Sequence, residues 1–252
     1  MKYKIYIPSR KRYEKNLTAD LLLGHGIDFK LVVEKNDYEE YYKKYGSKVL
    51  CLEGSDYGGV DYARNWIKKY SKSQGEKKHW QLDDDIRCMY ILDEDKKLIK
   101  TNPVDVLKNC EKITDEYLNV AISGLAASTF VRFSTKPYEV NKFAYTCFLV
   151  RNDDYSWDNN VEDDLDYNLQ VLTKGDCTLK FNKYCFAWST TQSIKGGYTD
   201  LYEDGKRLIR MKNTLKKWTI IPGITQKGKI KGQYRLITNN IWKNFKTELI
   251  KI

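Results

Sequence analysis

The chain has 252 residues, 41% of them hydrophobic and 31% charged, which is enough apolar material for one substantial core and suits a single α/β domain with a short appendage. No apolar run approaches membrane-spanning length, which argues against an integral membrane role, and the cysteines at 51, 88, 110, 147, 177 and 185 form no CxxC pair, which disfavours a zinc site or a disulfide framework. The net charge of +10 is unevenly spread. Residues 206–252 hold thirteen Lys or Arg against Glu248 alone, a local +12 that leaves residues 1–205 at about −2.

The opening residues, Met1 to Ile7, alternate polar and apolar, the pattern of a β-strand rather than a secretory leader, so a cytoplasmic protein is expected. Pro8-Ser9-Arg10-Lys11-Arg12 reads as a turn, and 16–23 as a helix stopped by Gly24-His25-Gly26. A buried strand over 29–33, a helix over 37–45 and a strand over 48–52 follow. Val60, Ala63, Trp66, Ile67 and Tyr70 then share one helical face, and His79-Trp80-Gln81-Leu82 leads as a fourth strand into Asp83-Asp84-Asp85. This order predicts an α/β fold with a largely parallel sheet, helices on both faces and ligands at the carboxyl ends of the strands.

The second half predicts a helix from Pro103 to about residue 117, strands over 119–123, 128–133 and 144–150, and a helix over 161–173. Two short strands near 177–181 and 184–188, a helix over 200–218 and a loop-rich basic tail complete the reading.

Three adjacent acids at the end of an apolar strand repel one another, and a divalent ion relieves that repulsion. Mg²⁺ or Mn²⁺ takes one or two protein carboxylates and fills its other positions with water and phosphate oxygens. The bland alternative is a solvated acidic turn. Arg10 or Arg12, at the end of the first strand, is placed to reach a phosphate or base, while Gly59-Val60-Asp61-Tyr62-Ala63-Arg64-Asn65 sets an Arg and an Asn on the helix before the acidic strand. A second cluster, Val161-Glu162-Asp163-Asp164-Leu165-Asp166, opens an amphipathic helix, where the helix dipole favours acids without any function.

These motifs, in this order, resemble the GT-A glycosyltransferase fold, a Rossmann-like arrangement with a mixed, mostly parallel sheet. Its members commonly carry an Ala-Arg-Asn helix, an apolar strand and a DXD-type motif. More narrowly, the chain resembles the TET/JBP-associated glycosyltransferases, a family frequent in bacteriophages and thought to modify hydroxymethylated pyrimidines in DNA. The resemblance spans roughly residues 3–200 and rests on Ile7-Pro8-Ser9-Arg10, Ala63-Arg64-Asn65, Leu82-Asp83-Asp84-Asp85 and Val161-Glu162-Asp163.

The resemblance implies a catalytic domain over 1–205, with 206–252 packed on or beside it. It implies Asp83 near the nucleotide ribose, a metal on Asp85 and Asp83 with Asp84 assisting, and Arg64 at the nucleotide or diphosphate. Pro8, Ser9, Arg10, Arg12 and Glu34 would line the donor pocket, with Lys195 on a loop closing over the diphosphate. In an inverting displacement Asp163 would be the base that takes the acceptor proton and Glu162 an acceptor-positioning group. Many GT-A enzymes add a late His to the metal; the only histidines here are His25 and His79, so Asp200, Glu203 or a water would have to substitute.

The expected donor is UDP-glucose and the expected acceptor a 5-hydroxymethylpyrimidine in double-stranded DNA, with no stable membrane association. Lys216, Lys217, Lys227, Lys229, Lys231 and Arg235, interleaved with Trp218, Tyr234 and Trp242, would neutralise phosphates and receive a flipped base. At least one of Trp218 and Trp242 is expected on the core instead. Competing readings are transfer to a glycan, a lipid-linked or a protein acceptor, and a non-catalytic nucleic-acid-binding module. A nucleotidyltransferase would need a glycine-rich cradle that the first loop lacks.

Overall fold

The structure, a computed structural model, describes residues 1–54, 59–131, 136–189, 205–226 and 234–252. The first half follows the expected alternation: β1 (Ile5–Ser9), α1 (Leu17–Gly24), β2 (Lys30–Glu34), α2 (Tyr38–Tyr45), β3 (Val49–Leu52), α3 (Gly59–Ser73) and β4 (Lys78–Leu82). It continues with β5 (Ile86–Leu92), β6 (Leu98–Thr101), α4 (Pro103–Thr114), β7 (Val120–Ala127), a four-residue α5 (Ser128–Val131), β8 (Tyr138–Val140) and β9 (Cys147–Arg151). Then come α6 (Asp163–Thr173), β10 (Cys177–Trp188), α7 (Lys206–Lys217) and a hairpin of β11 (Ile224–Gln226) and β12 (Tyr234–Leu236).

The main sheet runs β3-β2-β1-β4-β9-β7-β10-β5-β6, with β8 also on β10. The first four strands are mutually parallel, β9 runs against both β4 and β7, and β7 and β10 return to the first direction. β5 and β8 run against β10, and β6 against β5, so the sheet is mixed and most of its strands share one direction. The order β3-β2-β1-β4 reverses direction of travel between β1 and β4, and the carboxyl ends of strands at such a switch point form a ligand crevice.

Period-two burial decides which helix covers which face. Ile5 and Ile7 meet Leu22 of α1, Tyr41 of α2 and Leu107 of α4, whereas Tyr6 and Val32 meet Ala63 and Ile67 of α3. Helices therefore lie on both faces. α6 is apolar on two sides: Tyr167 and Val171 pack on Ile122 and Val150, while Leu165, Leu169 and Leu172 meet Ile221, Ile241 and Trp242 from the carboxyl-terminal segment. Trp218 joins that second cluster, so both tail tryptophans rest on the body. The last residues are bound too, because Asn119 donates to Glu248 O at 2.8 Å and accepts from Ile250 N at 2.9 Å.

Some predicted elements change. Residues 128–131 are a short helix rather than part of a strand: β7 has already used its pairing with β10 at Ala126 and Ala127, and Val131 tucks against Ala126 and Cys185. The two strands predicted over 177–188 are one bulged strand, and the β5–β6 hairpin and the β11–β12 hairpin were not expected. Pro8 and Ser9 lie inside β1 and not in a turn; the left-handed φ of 54° that turns the chain is at Lys11. Among the described residues no helix is long and apolar enough to cross a membrane, and all six cysteines are free thiols, four of them buried.

Gly124 in the middle of β7 permits a close approach that shapes the site. A Cβ there would lie 2.9 Å from Ala144 Cβ and 3.2 Å from its Cα. The segment it admits leads into Thr146, whose carbonyl accepts from Asp83 N at 2.8 Å. Gly124→Ala should therefore overpack the sheet and cost about 1–3 kcal/mol of unfolding free energy in urea titration; an unchanged midpoint would show that the approach carries no constraint.

Candidate active site

The acidic turn begins where β4 ends at the switch point. Its backbone is held by the start of α1: Thr18 Oγ1 donates to Asp83 O at 2.5 Å, Ile86 N donates to Thr18 Oγ1 at 2.9 Å, and Thr18 N donates to Asp84 O at 3.3 Å. Asn16 caps that helix by accepting from Ala19 N at 2.9 Å, and its amide donates to Ser9 Oγ at 3.0 Å.

The three carboxylates then part ways. Asp84 turns inward, 7% exposed, where Ser9 donates to it at 2.5 Å and the Arg12 guanidinium is paired with it. Ser9 also lies 2.6 Å from the Tyr41 hydroxyl. Ser9, Arg12 and Asp84, expected at the donor, are thus committed to a buried network beneath it, because a buried charge without a partner costs several kcal/mol. Asp83 and Asp85 keep 33% and 28% of their side chains exposed and face one another electrostatically.

Burial and the charges of Asp83 and Asp84 push the Asp85 carboxyl up to about 7, against a weak pull from Arg12 at 4.0 Å. Burial also raises Asp83 against the pull of Arg64, and Asp84 against that of Arg12.

Each member of Ala63-Arg64-Asn65 has a separate role. Ala63 packs on the sheet with Ile67. Asn65 mimics a strand edge, donating to Trp157 O at 2.7 Å and accepting from Trp157 N at 2.9 Å, so it fixes the loop before α6. Arg64 is 3% exposed and lies 5.1 Å from the Phe148 ring centre. Its Nη2 donates to Asp83 Oδ1 at 3.0 Å, while its Nη1 pairs with Asp164 and lies 3.6 Å from Asp163 Oδ2. The expected contact of Arg64 with a diphosphate gives way to a bridge: its donors are spent on carboxylates from β4 and α6.

Arg10 and Glu34 stand on neighbouring parallel strand ends and face each other at 3.6 Å, both at the switch-point side. Glu162 N-caps α6 by position without a side-chain capping bond, and burial raises its carboxyl against the pull of Arg207 at 3.6 Å. His79 is buried and neutral: burial lowers it to about 3, and its Nε2 lies 2.9 Å from the Gln81 amide.

Of the tail lysines, Lys217 is drawn into the body, 2.8 Å from the fully buried Asp166 and 3.3 Å from Asp158, because Asp166 needs a cation. Lys216 and Arg235 are exposed. Lys195, Lys227, Lys229, Lys231, Asp200 and Glu203 lie outside the described residues.

Among the described residues no group of three or more His, Cys, Asp or Glu is arranged to hold a metal. Asp83 and Asp85 offer two carboxylates, the number that Mg²⁺ or Mn²⁺ uses when phosphate and water complete its shell. An open cavity of about 620 Å³ lies elsewhere, between Asn65, Trp157, Gln170 and Trp218, with none of Asp83, Asp85 or Asp163 in its wall. Its polar groups are largely taken by internal bonds, such as Trp218 Nε1 to Asp166 at 2.7 Å.

Sequence reasoning missed Asp61, Arg207, Arg210 and Thr214. Arg210, Met211 and Thr214 do share the buried face of α7, a spacing that marked them as inward, but their charge was counted with the tail.

The family model for the TET-associated glycosyltransferases matches residues 3–197. The chain belongs to this family. It is therefore a glycosyltransferase, and the matched stretch holds Ser9, Arg64, the acidic turn and the α6 amino terminus but stops before α7. No curated protein matches. Solved structures that resemble the transferase include mannose-1-phosphate geranyltransferase from Thermus thermophilus, at 11% identity and a TM-score of 0.33, covering 72% of this chain and 58% of that one.

Two substitutions separate support from chemistry. Asp84→Ala strands Arg12 in the interior and should lower unfolding free energy by about 3 kcal/mol in denaturant titration, whereas Asp85→Asn should leave the fold intact. Asp85 also gives a pH signature. A carboxyl raised on folding from 3.8 to about 7 holds its proton more tightly in the folded state, so its contribution is full below 3.8 and is lost as pH rises through about 7. With EDTA present, wild type should lose melting temperature relative to Asp85→Asn between about pH 5 and pH 8; parallel curves would refute the shift.

Proposed function

We propose that this glycosyltransferase moves a hexose, glucose from UDP-glucose, onto the hydroxyl of a 5-hydroxymethylpyrimidine in DNA, with inversion at the sugar carbon. One observation carries the reading. Two acidic sets from distant parts of the chain, Asp83 with Asp85 and Asp163 with Glu162, meet across a single buried guanidinium at the switch point.

The charge balance supports a bound divalent cation. Around Arg12, Arg64 and Arg210 stand six carboxylates, those of Asp61, Asp83, Asp84, Asp85, Asp163 and Asp164, and the surplus falls on the two that remain part-exposed, Asp83 and Asp85. Mn²⁺ or Mg²⁺ held there would lend positive charge to the donor diphosphate as negative charge grows on it.

In this reading Arg10 and Glu34 line the base end of the crevice, with Lys195 expected over the diphosphate. Asp163 takes the proton of the acceptor hydroxyl while that oxygen forms its bond to the anomeric carbon. The bond from that carbon to the β-phosphate oxygen breaks, and its electron pair leaves with UDP. Glu162 orients the acceptor.

The charge split supports DNA as acceptor. Arg207, Arg210 and Lys217 are used within the fold, but Lys212, Lys216, Arg235, Lys243 and Lys246 remain exposed on the basic segment. Cations that neutralise phosphates make affinity fall steeply with salt.

The test is to incubate the protein with UDP-glucose, Mn²⁺ or Mg²⁺ and hydroxymethylcytosine-containing duplex DNA, then weigh the released nucleosides. A hexose adduct that disappears with EDTA is expected, and Asp163→Asn should lower transfer on the order of 10²–10⁴-fold with UDP binding retained. Adducts that survive EDTA would remove the metal from the reading, full turnover by Asp163→Asn would remove its base, and modification of a glycan in place of DNA would remove its acceptor.

A further inference from the structure

The acceptor-side carboxylate has a second cationic partner from outside the family-matched stretch. Asp163 Oδ2 faces Arg64 at 3.6 Å, and its other oxygen, Oδ1, faces Arg210 Nη2 at 3.8 Å. Arg210 belongs to α7, beyond residue 197, and is 7% exposed. Its own position is over-determined: Nε donates to Val161 O at 2.5 Å, and Nη2 pairs at 3.2 Å with Asp61 of α3, itself 2% exposed. One turn on, Thr214 Oγ1 accepts from Glu162 N at 2.8 Å and donates to Arg210 O at 2.8 Å.

We propose that Arg210 is a positioning residue that holds the Asp163 carboxylate in its catalytic orientation, so that α7 completes the acceptor side of the site. The proposal rests on Asp163 being the base of the reaction set out above. A carboxylate on the first turn of a helix is free to rotate about χ1 and χ2. With one guanidinium on each oxygen, and each guanidinium fixed by further bonds, that freedom is lost before substrate arrives. Only a planar fork meets this geometry. Arg210 spans Val161 O, Asp61 and Asp163 at once, and an ammonium of similar length is a single point that cannot reach all three.

α7 carries no residue that touches the acidic turn among the described contacts, so its effect should fall on transfer rather than on donor binding. This separates it from Arg64, which reaches Asp83 as well. It also gives the basic segment a part at the reaction centre that its exposed lysines do not share.

The experiment compares wild type, Arg210→Lys, Arg210→Gln and the double variant Asp61→Asn/Arg210→Gln, in which Asp61 is not left charged and unpartnered in the interior. With UDP-glucose, Mn²⁺ and hydroxymethylcytosine-containing duplex DNA, the double variant should lose kcat on the order of 100-fold, the scale of a misplacement of about 1 Å, with KM for UDP-glucose within about twofold. Arg210→Lys should fall between it and wild type. In crystals of the double variant the Asp163 carboxylate should have rotated away from its place beside Arg64. A folded double variant with wild-type kcat, or an unmoved Asp163 in its crystals, would overturn the proposal. If Asp163→Asn keeps full transfer, the base assignment itself fails; if that variant is inactive while the Arg210 variants turn over normally, only the role of Arg210 falls. Should wild type leave this DNA unmodified, the orientation of Asp163 in the crystals decides the question alone.

Discussion

Arg64 is charged, 3% exposed and surrounded by carboxylates from separate parts of the chain. A guanidinium so far from water is tolerable only if its donors are matched by acceptors of opposite charge. Asp83 comes from the end of β4, Asp163 and Asp164 from the first turn of α6, and Arg64 itself from α3, so the pairing is made only when the sheet and both helices are in register. Aromatic faces close the cage: Phe148 of β9 lies against the guanidinium, and Trp157, stacked on Tyr167 at 4.1 Å, lies close to it as well. The low polarity that makes the pair costly to break also strengthens every charge interaction around it.

The same constraint sorts the acidic triplet. Successive side chains near the end of a strand point to opposite sides, so three consecutive acids cannot all share one environment. Asp84 takes the inward side and needs Arg12 and Ser9 to be there at all. Asp83 and Asp85 take the other side, where Arg64 covers only the first, and the second is left with an elevated affinity for a proton. A site that binds a proton near neutral pH because burial and two neighbours disfavour its charge is also a site where a cation of higher charge competes well. The buried member of the triplet thus raises the demand for a cation at the exposed ones.

Much of this was legible in the residues. The alternation of apolar periods from Ile5 to Leu82 pointed to the β3-β2-β1-β4 half of the sheet, since period two and period 3.6 differ clearly over elements of five to fifteen residues. The acidic turn, Arg64 and the α6 amino terminus were visible as neighbours of strand ends. What could not be read was direction. Ser9, Arg12 and Arg64 look alike as polar residues near a crevice, and whether each faces a ligand or a buried carboxylate depends on contacts made 75, 72 and 100 residues away. The β5–β6 hairpin was missed because Arg87, Cys88 and Tyr90 break a clean alternation, and the strand expected at 128–133 failed because pairing partners, not propensity, decide where a strand ends.

Net charge was the least reliable guide to individual side chains. The +12 of residues 206–252 reads from sequence as one surface property, yet the structure divides it by helical face. On α7 the inward positions answer specific deficits in the body: Arg210 answers Asp61 and Asp163, and Lys217 answers Asp166, which is fully buried. Asp61 and Asp166 would be untenable at their depth without these partners, so the weakly acidic balance of residues 1–205 and the basic end are partly two halves of one internal neutralisation. Charge left over on Lys212, Lys216 and Arg235 faces solvent and is free to meet a polyanion. A salt-dependent interaction of the basic segment should therefore be carried by its outward residues, while its inward ones act on the fold and on the orientation of Asp163. One short helix then serves attraction and alignment through opposite faces, which is why its composition could not reveal the second role.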